Sequence, residues 1–327
     1  MGAMVHGRIS RVLVIRWGPV GDFVASLAAM RQIRVAHPRV EITLLTTPPY
    51  RELARRSPYF DEVDTGAEVT DPGSDFTLAR RLRHARFDRI YDLQCSPRTA
   101  LIFRMMWPGR PPWSGVARGA RLRHRNPRRD ALPLTERQGD QLRAAGMWPD
   151  APTEPGTAPP PDLSWVLKAA PLPPRASAAL PPRPYVILAP GGDDAERGWP
   201  IASWCGLASN FHKRGYDLVI VGRPQDSGLA HTIQRTVSQA RDLTGRTDLF
   251  QLAALAARAA IAVSHPSGSV VLIAAAGAPT LVLAGRGSDA AIASLGAQVQ
   301  VLRAADLKDL PVAQVAQAAA GLIPARA

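Results

Sequence analysis

Asp22 closes a turn that begins at Gly18. The run Arg11-Val-Leu-Val-Ile-Arg-Trp-Gly-Pro-Val-Gly-Asp22 sets a short β-branched segment, Val12 to Ile15, ahead of two glycines and one carboxylate. A carboxylate delivered from a strand end can act as a general base toward a hydroxyl, or can cap the helix that follows. The spacing Gly18-x-x-Gly21 is not the G-x-G-x-x-G order of a dinucleotide fingerprint, so nicotinamide or flavin chemistry is not expected.

Three other segments carry chemically useful residues. Pro190-Gly191-Gly192 lets the backbone approach a ligand, and Arg197 a few residues later offers a bidentate fork suited to phosphate. The alternative is an ordinary polar loop. Ser267-Gly268-Ser269 stands where a strand gives way to a small-residue helix; its free amides form an anion site or a plain capped helix start. Arg118 to Arg129 holds the densest positive cluster. It is either a solvated face or an electrostatic site for an anionic partner. It contains no interleaved aromatics, so single-stranded nucleic acid is not expected.

The elements needed to position these residues follow from hydrophobic periodicity. Strands are expected at Val12–Ile15, Val40–Thr46, Glu62–Thr65 and Arg89–Leu93. Helices are expected at Phe23–Ala36, Arg51–Arg56 and Thr77–Ala85. Residues 149–184 contain 12 prolines and read as a connection, with a short helix near Trp165–Ala169. Alternation then restarts. Strands are expected at Tyr185–Leu188, Asp217–Val221, Ala260–Ser264 and Thr280–Ala284. Helices are expected at Ile201–Arg214, Ser227–Val237, Leu249–Ala257, Val270–Ala276 and Val312–Leu322. Strand–helix alternation implies an α/β protein with parallel, doubly wound sheets.

The 327 residues suffice for two domains, and 46% hydrophobic content supports a sizeable core. No apolar run is long enough to span a membrane, and Met1 to Ser10 lacks the apolar core of a signal peptide. A cytoplasmic protein is expected. Cys95 and Cys205 form no disulfide framework or metal-ligand spacing. The net charge is +13, with 25 basic against 15 acidic residues in 1–150 and 15 against 12 in 151–327. The excess therefore belongs to the first half.

Taken in order, the segments resemble the bacterial ADP-heptose heptosyltransferases (glycosyltransferase family 9) over nearly the whole chain. The resemblance rests on Arg11–Arg16 with Gly21-Asp22, His37-Pro38 with Glu41–Leu45, Ser57-Pro-Tyr-Phe-Asp-Glu-Val63 and Tyr91-Asp-Leu-Gln94. It continues through Pro190-Gly191 with Arg197-Gly-Trp-Pro200, and Asp242-Leu-Thr-Gly-Arg-Thr-Asp-Leu249. It implies a GT-B fold, with two Rossmann-like domains facing a central cleft. Residues 1–160 would bind the acceptor, 161–184 would link, and 185–327 would bind the nucleotide sugar. The last helix would be free to pack back on the first domain.

The resemblance also implies inverting sugar transfer with no cofactor and no bound metal. Asp22 would be the base. Gly21, Arg118, Arg121, Arg123 and Arg125 would face an anionic lipopolysaccharide or related glycan acceptor, with peripheral contact at the inner membrane. Gly191, Gly192, Arg197, Asp226, Thr244, Gly245, Ser267, Gly268 and Ser269 would hold the donor. The chain departs from the family pattern in places. Pro266 stands for an acidic residue, Val271 for a histidine, Arg197 for a lysine and Asp226 for a glutamate. His265 is a candidate to compensate. These departures keep a second reading open, a catalytically impaired binding or scaffold protein of the same fold.

Overall fold

The computed structural model describes residues 9–67, 73–152, 154, 157, 159–168, 180–182, 184–192, 198–286 and 299–323. The chain divides into two compact units, Met1–Pro159 and Pro160–Ala327.

In the first unit, β1 (Arg11–Ile15), β2 (Glu41–Leu45), β3 (Glu62–Asp64), β4 (Arg89–Asp92), β5 (Trp113–Gly115) and β6 (Leu122–Arg123) form one sheet. Its order is β3-β2-β1-β4-β5-β6, parallel throughout. In β1, Leu13 and Ile15 project to one face and Val12 and Val14 to the other, and all four are fully buried. Both faces are therefore covered, which is why β1 reads as a continuous apolar run. Phe103 and Trp113 fill the core on the Leu13 face, their rings 5.3 Å apart.

The second unit repeats this winding. Its strands are β7 (Tyr185–Ala189), β8 (Asp217–Ile220), β9 (Arg241–Asp242), β10 (Ile261–Ser264), β11 (Thr280–Ala284) and β12 (Val299–Arg303). They are all parallel in the order β12-β11-β10-β7-β8-β9. Each sheet thus has a switch point, β1/β4 in one and β7/β10 in the other, where connections leave in opposite directions. The final helix, Val312–Leu322, packs on the helix Ile201–Lys213 and on β10 and β11. Leu163 and Val166, from the proline-rich segment, are fully buried, and Leu163 N–H donates to Ala275 O at 3.1 Å.

Two elements differ from expectation in ways that shape the site. The helix expected over Phe23–Ala36 is two helices, Val20–Ala25 and Leu27–Ala36, with Ser26 between them. Ser26 Oγ donates to Asp22 O at 2.7 Å and accepts from Gln138 Nε2 at 2.9 Å. A serine bonded back to the preceding turn bends a helix. The helix Leu134–Ala144 escapes hydrophobic periodicity because its buried face is polar. Glu136, Gln138, Asp140 and Gln141 lie there beside Leu142. The strands β5, β6 and β9, two or three residues each, are too short to leave a pattern.

Candidate active site

At the carboxyl edge of the first sheet, β1 runs into Arg16, Trp17 and Gly18. Gly18 has φ 104°, a left-handed conformation that a side chain would strain. Pro19 is the N-cap of the next helix, and no side chain caps it. Asp22 therefore does not serve as the cap. It sits in the first helical turn with its side chain 55% exposed, and Oδ2 lies 3.3 Å from Arg16 Nη2.

Arg16 is almost fully buried, and its Nη1 reaches Leu93 O and Gln94 Oε1, both at 3.4 Å. Its Nε has no partner. Burial pushes the guanidinium below its ordinary pKa, and the charge of Asp22 works in the opposite direction. The turn is held at further points. Gln94 Oε1 accepts Trp17 N–H at 3.0 Å, Tyr50 OH donates to Gly18 O, and the Tyr50 ring stacks on Phe23 at 4.1 Å. Gln138 Nε2 bonds both Ser26 Oγ and Leu93 O, tying the junction of the two helices after β1 to the end of β4.

A second carboxylate, Asp92, ends β4 opposite Ile15. It is fully buried, and burial pushes it up to about 6 despite an N–H bond from Cys95 at 2.8 Å. Cys95 is no nucleophile, since burial and the Asp92 charge raise its thiol to about 12. Of these residues, Arg16, Gln94 and Gln138 were not singled out in the sequence. Arg16 and Gln94 lie inside recognised segments, but Gln138 left no signal.

The basic segment follows β5 and spans β6. Arg118, Arg121, Arg123 and Arg125 are exposed, and none forms an ion pair with a described carboxylate. Between them His124 turns inward, its Nε2 2.6 Å from Asp140 Oδ2, and Asn126 Nδ2 donates to the same oxygen at 2.7 Å. Burial disfavours the Asp140 charge. Hydrogen bonds from Asn126 and His124 and the His124 and Arg143 charges outweigh this and hold its carboxyl below the usual range. The inward residues thus brace the loop that presents the arginines. Arg118 and Arg125 follow the carboxyl ends of β5 and β6, the edge that also bears Asp22, and three strand spacings from β1 to β6 amount to roughly 14 Å.

In the second unit, the expected donor residues gather at one sheet edge. Gly191 and Gly192 follow β7, Asp226 follows β8, Thr244 and Gly245 follow β9, and Ser267, Gly268 and Ser269 follow β10. Arg197 lies outside the described residues. The Asp226 carboxylate packs so close to Gly191 that a Cβ there would overlap it. Asp226 is buried, its Oδ2 accepting Arg223 N–H at 2.7 Å. Arg223 Nη2 reaches Gly192 O at 2.7 Å, a cation at this edge that the sequence reading passed over. Thr244 N–H and Oγ1 both bond Asp242 Oδ1, and Gly245 N–H donates to Gly222 O.

The helix Gly268–Ala275 starts at Ser267 without a side-chain cap, and Ser267 Oγ lies 3.0 Å from Ser269 Oγ. Val270 N–H in its first turn donates to Ser267 O at 3.2 Å, which leaves the amides of Gly268 and Ser269 as the ones that could face an anion. Val271 is buried. His265 does not compensate for it, because both ring nitrogens are already engaged. Nδ1 lies 3.0 Å from Pro190 O, and Nε2 accepts Trp199 N–H at 2.9 Å.

Among the described residues no group of His, Cys, Asp and Glu could hold a metal ion, and no helix is long and apolar enough to cross a membrane.

Comparison with known proteins finds relatives over most of the chain. Lipopolysaccharide heptosyltransferase 2 of Escherichia coli (strain K12) is 27% identical over 317 residues, covering 90% of this chain and 88% of that protein. Lipooligosaccharide heptosyltransferase 2 of Haemophilus influenzae is 23% identical over 290 residues, covering 84% and 83%. The structure of E. coli ADP-heptose LPS heptosyltransferase II superposes with a TM-score of 0.78 at 23% identity, covering 96% of this chain and 98% of that one. E. coli heptosyltransferase WaaC with ADP superposes at 0.74 and 18% identity, covering 95% and 99%. These likenesses establish the GT-B fold. The family model of glycosyltransferase family 9 (heptosyltransferase) matches residues 76–319, and with that match the chain belongs to this family of glycosyltransferases.

Proposed function

We propose that this glycosyltransferase moves a heptose from ADP-heptose to an anionic lipopolysaccharide inner core or related surface glycan, with inversion at the anomeric carbon. The observation that carries the reading is Asp22, an uncapped, half-exposed carboxylate held by a buried arginine at the switch-point edge of the first sheet. Ionised Asp22 takes the proton of the acceptor hydroxyl as its oxygen attacks the anomeric carbon from the face opposite the leaving diphosphate. The C–O bond to the diphosphate breaks, and its negative charge is met by Arg197 and the open amides around Ser267–Ser269. Residues 1–160 form the acceptor domain and 185–327 the donor domain in this reading.

The arginines Arg118, Arg121, Arg123 and Arg125 draw in the phosphorylated or carboxylated acceptor by charge. The acceptor's lipid anchor brings the cytoplasmic enzyme to the inner leaflet as a peripheral visitor. Calorimetry of the protein against ADP-, UDP- and GDP-sugars tests the donor, and binding confined to the ADP sugar is expected. Transfer assays with Asp22→Asn test the base; unchanged turnover would reject it.

A second reading, a binding or scaffold protein, is favoured by one observation. Pro266 and the buried Val271 offer no polar side chain to a donor, and His265 is spent on the backbone. No binding to any nucleotide sugar would select it.

A further inference from the structure

Two large apolar side chains of the first unit stand in water. Phe76 is 58% exposed and Trp107 is 69% exposed. They belong to the helix Ser74–His84 and to the loop after the helix Pro97–Met105. Both helices pack on the Leu13 face of the first sheet. Leu78, Ala79 and Leu82 of one enter the same core as Ile102 and Phe103 of the other. At about 3.6 residues per turn, the outer stripe holds Phe76, Arg80 and His84 on the first helix and Pro97, Leu101 and Arg104 on the second. All of these are exposed except the half-buried Leu101, and the exposed Trp107 and Pro108 follow the second stripe. Arg110 lies 4.5 Å from the Phe103 ring centroid and 5.0 Å from that of Trp107, and its Nη2 donates to Arg104 O at 3.0 Å.

The charge of this surface is one-sided. Between Ser74 and Pro112 the chain carries eight arginines and three aspartates. Asp92 is buried, Asp88 accepts the N–H groups of Ser10 and Arg11, and Asp75 lies 2.7 Å from Arg98. Neither Arg80 nor Arg104 forms an ion pair with a described carboxylate. Arg98 also ties the surface to the site, its guanidinium 5.5 Å from the ring of Trp17 in the turn that leads to Asp22.

We propose that the outer face of these two helices, with Trp107, docks the protein on an anionic phospholipid leaflet. Exposed aromatics settle at headgroup level, and arginines keep their stems in the boundary and their charge at the phosphates. Unpaired positive charge interleaved with apolar side chains is complementary to that surface. Both helices start at the carboxyl edge of the sheet, so a leaflet lying along them runs beside the Asp22 edge. A lipid-borne acceptor then reaches the base from the side. That last point rests on the proposed function, whereas the docking does not.

Vesicle binding is read first, on the full chain without donor or acceptor. The protein should sediment with vesicles holding about one-third phosphatidylglycerol and not with pure phosphatidylcholine, and salt should release it. Arg80→Glu with Arg104→Glu should weaken binding at least tenfold, since each surface arginine is worth roughly fivefold at an anionic leaflet. Phe76→Ser with Trp107→Ser should also weaken it at least tenfold, and both double variants should keep the thermal midpoint. Wild-type protein that ignores anionic vesicles, or binds both kinds alike, overturns the proposal. Double variants that bind as wild type does also overturn it. So does a wild-type dimer that ignores vesicles and is dissociated by Phe76→Ser with Trp107→Ser, because the occupant is then a second copy.

Turnover tests the orientation. With acceptor embedded in anionic vesicles, both double variants should raise acceptor KM at least tenfold. With deacylated, soluble acceptor, kcat and KM should match wild type. Equal losses on both acceptors overturn the role in presenting acceptor. Failure of wild-type protein to bind any nucleotide sugar would sink the proposed function, and the vesicle result would still stand or fall by itself.

Discussion

Arg16 and Asp22 form an unequal pair: their charged groups lie 3.3 Å apart, yet the arginine side chain is 3% exposed and the carboxylate 55%. The buried partner is fixed by the sheet edge and the exposed partner is aimed by it. Such a pair is poorly built for stability, because the desolvation of Arg16 is met by two long bonds and one half-solvated carboxylate. In the proposed reaction its part is to aim the base. Asp22→Asn keeps the shape and removes the charge. It should lower kcat by about 10²–10⁴-fold, the usual worth of general-base catalysis. Donor affinity should stay at the wild-type value, while the thermal midpoint should fall because the buried Arg16 loses its counter-charge.

Arg16→Met is the complementary variant. Replacing a buried ion by an apolar chain of similar length is often neutral or stabilising. The thermal midpoint should hold or rise, while kcat falls at least tenfold because Asp22 loses its guide. A drop in stability together with unchanged kcat would show that Arg16 serves the fold alone.

The exposed arginines should separate acceptor from donor. Arg118→Glu with Arg125→Glu removes no described ion pair, so stability should change by less than about 0.5 kcal/mol. Acceptor KM should rise steeply and donor affinity should not move. Acceptor KM of the wild-type enzyme should also rise with added salt, as screening shortens the reach of surface charge. A salt-independent acceptor KM would leave the cluster a solvated face.

Gly191→Ala places a methyl group against the Asp226 carboxylate. The loop or the carboxylate must shift, so donor affinity should fall at least tenfold by calorimetry. The Asp22 edge of the other unit is untouched. Unaltered donor affinity would remove Gly191 from the donor site.

His37 supplies a pH signature outside the site. It is buried against Tyr91 OH, 2.8 Å from Nε2. Burial, then the charges of Arg89 and Arg34, push its pKa from the ordinary 6.5 down to about 4. The unfolded chain takes up this proton near 6.5, and the folded chain does not until about 4. Its contribution is therefore full above 6.5 and is lost as pH falls toward 4, roughly 3 kcal/mol in all. Asp92, raised from 3.8 to about 6, acts in the opposite sense, losing its contribution as pH rises through that window. Denaturation of wild type and His37→Gln between pH 4 and 7 isolates the histidine. Wild type should lose stability on acidification faster than the variant, and parallel curves would contradict the assignment.

The apolar strands and their alternation with helices were legible because a doubly covered parallel strand must be a continuous apolar run, as Val12–Ile15, Tyr185–Leu188 and Thr280–Ala284 are. Turn glycines and the ordered family segments marked the two sheet edges. The helix Leu134–Ala144 was not legible, since its buried residues are Glu136, Gln138, Asp140 and Gln141, which have no apolar period to detect. Their worth lies in partners distant in sequence. Gln138 reaches Ser26 and Leu93, and Gln141 reaches Asp92 and Ser114.

The sequence by itself determined the fold class, the family and the presence of Asp22 at a strand-to-helix turn. These depend on local pattern and on motif order along one chain. Only the tertiary structure decided that Pro19, not Asp22, occupies the cap, and that Arg16 stands behind the carboxylate. It also decided that His265 spends both nitrogens on Pro190 and Trp199 rather than on a ligand. The reason is physical. A carboxylate or an imidazole is equally able to cap, catalyse or brace, and which it does is set by the polar atoms that folding brings within hydrogen-bond reach.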